Sequence, residues 1–104
     1  MLYTTSEFIE GKKLQHLGTI QGSVVRAKHI GKSFVAGFRT LVGGEIDEYT
    51  ELMYETRRIA TERMIAEATR IGADAIVAVR YSTCSVMDGC SEVMAYGTAV
   101  KFVQ

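Results

Sequence analysis

The chain has 104 residues, 47% apolar and 23% charged, with twelve Lys or Arg balancing twelve Asp or Glu. That length gives one domain, 1–104, with a modest core, and the charge balance excludes both a basic nucleic-acid footprint and an acidic tail. No apolar run approaches the ~20 residues of a membrane span, the start from Met1 to Lys13 lacks the pattern of a secretion signal, and two cysteines make no disulfide framework.

A cytoplasmic protein with free thiols is therefore expected. There is no proline to make bends, so the ten glycines must make them.

Leu2 to Ser6 is β-prone but short, either a small extra strand or an arm that pairs outside its own domain. Glu10 to Lys13 reads as a turn. From Leu14 to Ala27, Leu17, Thr19, Ile20, Val24 and Val25 favour an extended chain. The alternation slips at Gly18 and Gly22, which predicts a bulge or bend there; interior glycines also mark close approach of another backbone. His29 to Lys32 ends this segment.

Ser33 to Val42 reads as a short helix with Ser33 as N-cap and Phe34, Phe38, Leu41 and Val42 on one face. Gly37 inside it points to a close packing contact, and Gly43-Gly44 stops it. A long helix then runs from Asp47, its N-cap, to Ile71. At ~100° per residue, Tyr49, Met53, Thr56, Ala60, Met64, Ala68 and Ile71 form one stripe, with Leu52, Ile59 and Ala66 as a shoulder. Glu51, Glu55, Arg58 and Glu62 take the opposite face, and Arg58–Glu62 and Arg63–Glu67 are i,i+4 pairs.

Arg57 falls inside the apolar stripe. It must be paired or reach out to water, through a structural salt bridge or a capped carbonyl, or else by holding a ligand or another subunit.

Gly72 ends the long helix at its C′ position, and Asp74 to Cys84 forms a strand. Strict alternation puts Ala75, Val77, Val79 and Tyr81 on one face and Ile76, Ala78, Arg80 and Ser82 on the other. Asp88-Gly89 signals a tight hairpin, which would place Cys90 opposite Met87 and leave Cys84 several residues away. The last strand, about Glu92 to Phe102, is apolar on both sides and is expected to be central and covered twice.

The order β-α-α-β-β predicts a two-layer α+β domain: a mainly antiparallel three-stranded sheet in the order 1-3-2, with one long and one short helix. One helix layer leaves the second sheet face bare, and self-association is the economical cover.

Several stretches together make the chain resemble the small YbjQ-like proteins, labelled heavy-metal-binding domains. They are Gly18-Thr19-Ile20-Gln21-Gly22, Phe34-Val35-Ala36-Gly37-Phe38-Arg39 with Gly43-Gly44, and Tyr49. Arg57-Arg58-Ile59-Ala60, Ala68, Gly72-Ala73-Asp74-Ala75-Ile76-Val77 and Gly97-Thr98-Ala99-Val100 follow in the same order. The resemblance implies a β-α-β-β core related to dodecin-type subunits, with the last strand in mid-sheet. It also implies assembly into a ring, typically a pentamer, through extra short strands at the interfaces.

The chain departs from the family pattern in three places. Glu45 stands where a basic residue is usual, Arg80 and Ser82 where acidic residues are frequent, and Ser23 where an acidic residue follows the first-strand glycine. Any ligand site built on those carboxylates is altered.

Coordination chemistry sets the terms for a metal. Zinc and similar ions need three or four Cys, His or carboxylate ligands, and this chain offers His16, His29, Cys84 and Cys90 with no CxxC or HxxH. Cys84, Cys90 and His16 are the metal candidates, through sites shared between subunits; the sequence firmly implies no cofactor and leaves room for a divalent or heavy metal ion.

Arg39, Gly43, Gly44, Arg57, Arg80 and Tyr96 are candidates for ligand or subunit contact. No P-loop, GxSxG or dinucleotide fingerprint occurs, and Glu45, Asp47 and Glu48 crowd the double glycine against an anion. The expectation is therefore a non-enzymatic ring whose partner is itself, with no nucleic acid and no membrane. Metal binding is the first alternative. A small-molecule or cofactor carrier, with Tyr96, Tyr81 and Met94 as stacking residues, is the second.

Overall fold

In the computed structural model, residues 1–27, 47–87 and 90–104 are described, the side chains of 27 and 47–49 excepted. The expected short helix from Ser33 to Val42, with Arg39, Gly43, Gly44 and His29, lies outside them, as do Asp88 and Gly89. The elements are β1 (Leu2–Tyr3), β2 (Lys13–Ala27), α1 (Asp47–Arg70), β3 (Ala75–Met87) and β4 (Cys90–Val103). Among the described residues this is a mixed α+β fold, one helix on one sheet.

The sheet corrects the three-stranded expectation. It has four strands in the order β1-β3-β4-β2, because Leu2 and Tyr3 pair in parallel with Ala75 and Ile76 on the outer edge of β3. The three long strands are antiparallel with β4 between β2 and β3.

The N-terminal segment continues along that edge. Thr4 donates to the Ile76 carbonyl, and Ala78 and Val79 donate to the carbonyls of Ser6 and Thr4. A turn then closes with Lys12 N–H on the Ile9 carbonyl.

Helix α1 ends in a Schellman motif: Ala73 donates to the Ala68 carbonyl and Gly72 to that of Thr69, with Gly72 at φ +79°. This places the turn where the sequence put it. Asp74 carries the chain straight into the sheet. Its N–H donates to the Val100 carbonyl and its Oδ2 accepts from Phe102 N–H.

The buried stripe of α1 is Thr56, Ala60, Met64 and Ala68, all at 1% exposure or less. Met64 alone is worth about 1.5–3 kcal/mol of burial. Thr56 satisfies its hydroxyl on the Leu52 carbonyl, so it costs nothing in that stripe.

The small residues let β2 approach closely. A Cβ on Gly22 would lie 2.3 Å from the Met64 nitrogen and 2.4 Å from the Ala60 oxygen. The expected backbone contact is thus at Gly22, and the expected bulge is at Gly18, where the β2 register shifts after His16. Arg63 donates to the Ser23 carbonyl at 2.6 Å instead of pairing with Glu67, which bonds Arg70; Arg58–Glu62 forms as expected.

Strand β3 departs from strict alternation. Ala78 sits at φ +54°, and the register with β4 shifts between Val77 and Arg80. Ala75 and Val77 therefore pack with Val100, Ile9, Leu14 and Phe102 on the face away from the helix. Ile76 and Val79 join Val24, Met64, Val93 and Ala95 beneath it. Val77 and Val79 lie on opposite faces, and the bulge is the reason.

Beyond Val79 every residue of β3 is exposed, so the far end of the sheet forms a flap.

Candidate functional site

Two regions gather side chains capable of chemistry. The first is the open face of the flap. Met87 stands opposite Cys90, as the hairpin reading required, and a register shift between Ser85 and Met87 puts Cys84 opposite Glu92. Cys84 Sγ lies 3.8 Å from Glu92 Oε1, and alternation along β4 puts Cys90 on the same face as Glu92.

Both thiols are free, Cys84 exposed and Cys90 half-buried. His16 shares the face but stands opposite Val100, about 26 Å along β4 from Glu92 at ~3.3 Å per residue. One subunit therefore does not bring His16 to the cysteines. Among the described residues no three His, Cys, Asp or Glu side chains are grouped to hold a metal ion.

The second region lies between α1 and the β1–β3 edge. Tyr54, Arg57, Arg58, Thr61, Glu62 and Ile65, at helical spacing beside the buried stripe, face Tyr3 and Tyr81 across a cavity of about 530 Å³. Arg57 flanks the apolar stripe rather than entering it. Half-buried, its guanidinium sits 4.9 Å from the centre of the Tyr54 ring, a cation–π contact. Among the described residues no carboxylate pairs with it.

Arg58 is held by Glu62 at 2.8 Å. Thr61 donates to the Arg57 carbonyl at 2.8 Å and lies 2.8 Å from the Tyr81 hydroxyl. Its single proton is committed to that carbonyl, so Tyr81 must donate to Thr61.

The remaining candidates stand apart. Arg80 donates to the carbonyls of Thr5 and Val79, which fastens the N-terminal segment over the bulge. Tyr96 and Met94 pair with Gln21 and Ser23 on the face away from the helix, whereas Tyr81 reaches Thr61 on α1. The three stacking candidates are therefore split between two faces.

At the end of α1, the hydrogen bond from Arg70 holds the Glu67 carboxyl below the usual glutamate value. Tyr3, Tyr54 and Thr61 were not picked out from the sequence. Their signal was a second stripe, 54-57-61-65, running beside the buried one.

Fold and sites together define a small α+β protein with a long helix across a mixed sheet, a thiol-bearing flap and a tyrosine–arginine cavity. A family model described as "Putative heavy-metal-binding" (YbjQ) matches residues 1–103. A UPF0145 protein of Alkaliphilus metalliredigens is 50% identical over 99% of this chain and 100% of its own length.

Similar UPF0145 proteins occur in Thermosipho africanus, 55% identical over 97% of this chain and 94% of that one, and in Thermus thermophilus, 52% identical over 97% and 90%. A crystal structure of a DUF74-family protein of unknown function from Pediococcus pentosaceus shares the fold, with TM-score 0.70 and 17% identity over 99% of this chain and 98% of that one. The chain belongs to the YbjQ-like, UPF0145 family.

Proposed function

We propose that this protein is one subunit of a closed homo-oligomeric ring, a pentamer by its family resemblance, that binds or scaffolds a partner in the cytoplasm without catalysis. The observation that carries this reading is the pair of unlike open sheet edges. Among the described residues the outer edge of β2 has no strand partner, and β3 is paired on its outer side only near its start, by β1 and the segment after it.

A long unpaired edge is a template for another strand. Two different edges joined head to tail form a ring where the rotation between subunits closes and an open filament where it does not, whereas like edges joined would give a dimer. The shape supports the same reading. Extents of 58 × 24 × 17 Å and a radius of gyration of 17.4 Å exceed the ~13 Å of a compact chain of this length. Val25, Val86 and Met87, toward the far end of the sheet, are at least half exposed.

Native mass spectrometry at micromolar concentration tests the reading. A single closed oligomer is expected, and Val86→Lys with Met87→Lys weakens it; a strict monomer overturns the proposal.

A metal-binding reading rests on the shared face of Cys84, Glu92 and Cys90. Thiolates favour soft ions such as zinc and copper(I). One subunit supplies an incomplete tetrahedral set, so a second subunit would complete it. Elemental analysis of the purified protein should then show metal that Cys84→Ser and Cys90→Ser both remove. Metal content unchanged by both substitutions sinks this reading.

A further inference from the structure

We propose that the cavity between α1 and the β1–β3 edge is a binding site for a small aromatic carboxylate carrying a hydrogen-bond donor at the far end of its ring. The cavity volume of about 530 Å³ falls within the ~300–1,000 Å³ of small-molecule sites. Tyr3, Tyr54, Tyr81 and Ile65 give it flat apolar walls on which a ring can pack or stack.

The charges around it do not cancel. Arg58 and Glu62 neutralise one another at 2.8 Å, and Arg57 remains, half-buried and held over Tyr54 at 4.9 Å. A half-buried cation without a carboxylate favours an anion, and a guanidinium matches a carboxylate in two parallel hydrogen bonds.

The hydroxyl chain fixes the other end of the ligand. Thr61 gives its proton to the Arg57 carbonyl, so Tyr81 donates to Thr61 across their 2.8 Å contact. The Tyr81 oxygen then keeps acceptor capacity alone. It can receive an O–H or N–H from a ligand, and it has no proton to offer one.

Isothermal titration calorimetry of the intact protein in its native oligomeric state tests the site. The probes are 4-hydroxybenzoate, benzoate and 4-hydroxybenzyl alcohol. Saturable 1:1 binding per subunit is expected for 4-hydroxybenzoate, with benzoate about fivefold weaker through loss of one neutral hydrogen bond. The alcohol should be weaker by about tenfold or more through loss of the charge-assisted contact.

Arg57→Met should weaken 4-hydroxybenzoate to the level of the alcohol, and Arg57→Lys should keep part of the binding, which separates lost charge from lost fold. Tyr81→Phe should erase the preference for 4-hydroxybenzoate over benzoate and leave benzoate binding as it was. No binding to the native protein, equal binding of all three probes, or affinity unchanged in Arg57→Met each overturns the proposal.

Discussion

Replacing Gly22 with alanine would drive a methyl group into the backbone of α1. The new Cβ would lie 2.3 Å from the Met64 nitrogen, 2.4 Å from the Ala60 oxygen and 2.8 Å from the Arg63 carbonyl carbon, where ordinary contact begins at 3.4 Å. Backbone atoms have no rotamer to escape into, so β2 and α1 must separate by about 1 Å across a close-packed core.

Overpacking costs about 1–3 kcal/mol where side chains can yield, and here the upper end applies. The loss of chain entropy in the unfolded state returns about 0.5–1 kcal/mol. A net loss of about 2–2.5 kcal/mol lowers the melting midpoint by roughly 10 °C or more for a chain of this length, read by circular dichroism at fixed protein concentration. Gly11→Ala is the control. At φ +74° with nothing within 4 Å, it meets backbone strain alone, about 1 kcal/mol. A Gly22→Ala protein that melts at or above the parent, or above Gly11→Ala, refutes the close-approach argument.

Ala78→Gly relieves the φ +54° strain and should raise stability by about 0.5–1 kcal/mol in urea titration; a loss would mean that the methyl group outweighs the strain. Deleting residues 1–6 removes the partners of Ala78 N–H and Val79 N–H and one of the two carbonyls that Arg80 bonds. Hydrogen exchange at Ala78 and Val79 should then become fast, and retained protection would contradict the edge pairing.

Glu67 has its folded pKa lowered by Arg70. Its contribution to stability is therefore present above the unfolded value and lost as pH falls through the lowered folded value. An NMR titration should place the Glu67 midpoint below that of an unperturbed glutamate, and Arg70→Ala should move it back up. No movement would remove the pair as the cause.

The sequence made some parts of this molecule readable and hid others for definite reasons. The long helix, its stop at Gly72 and the hairpin pairing of Met87 with Cys90 are local events, fixed by periodicity and by glycine, so residue order reveals them. Val77 and Val79 looked like neighbours on one face because a bulge at an alanine carries no sequence mark. It is stabilised by Thr4 and Ser6, which lie more than seventy residues earlier.

The parallel pairing of β1 was open in the sequence for the same reason. Arg63 was assigned to Glu67 by spacing alone, and the Ser23 carbonyl that captured it belongs to another element. Arg57 was recognisable as a misplaced charge. Tyr54, which answers it, stood three residues away, between the apolar stripe and the polar face, and belonged to neither.

The position of β4 between β2 and β3 also bears on how the chain comes to be folded. β2 and β3 pair with β4 along their lengths and not with each other. β4 is made after both, and its far end joins Lys13 to Val103. Contacts of such sequence separation place folding at the slow end for small domains. While β4 is still to come, β2 stands unpaired and β3 has only the N-terminal segment beside its start, the state in which edges find wrong partners. A chain interrupted before Cys90 would therefore lack more than one strand. It would carry a finished helix and no sheet for it to rest on, and such fragments are clients for chaperones or proteases rather than truncated forms of the protein.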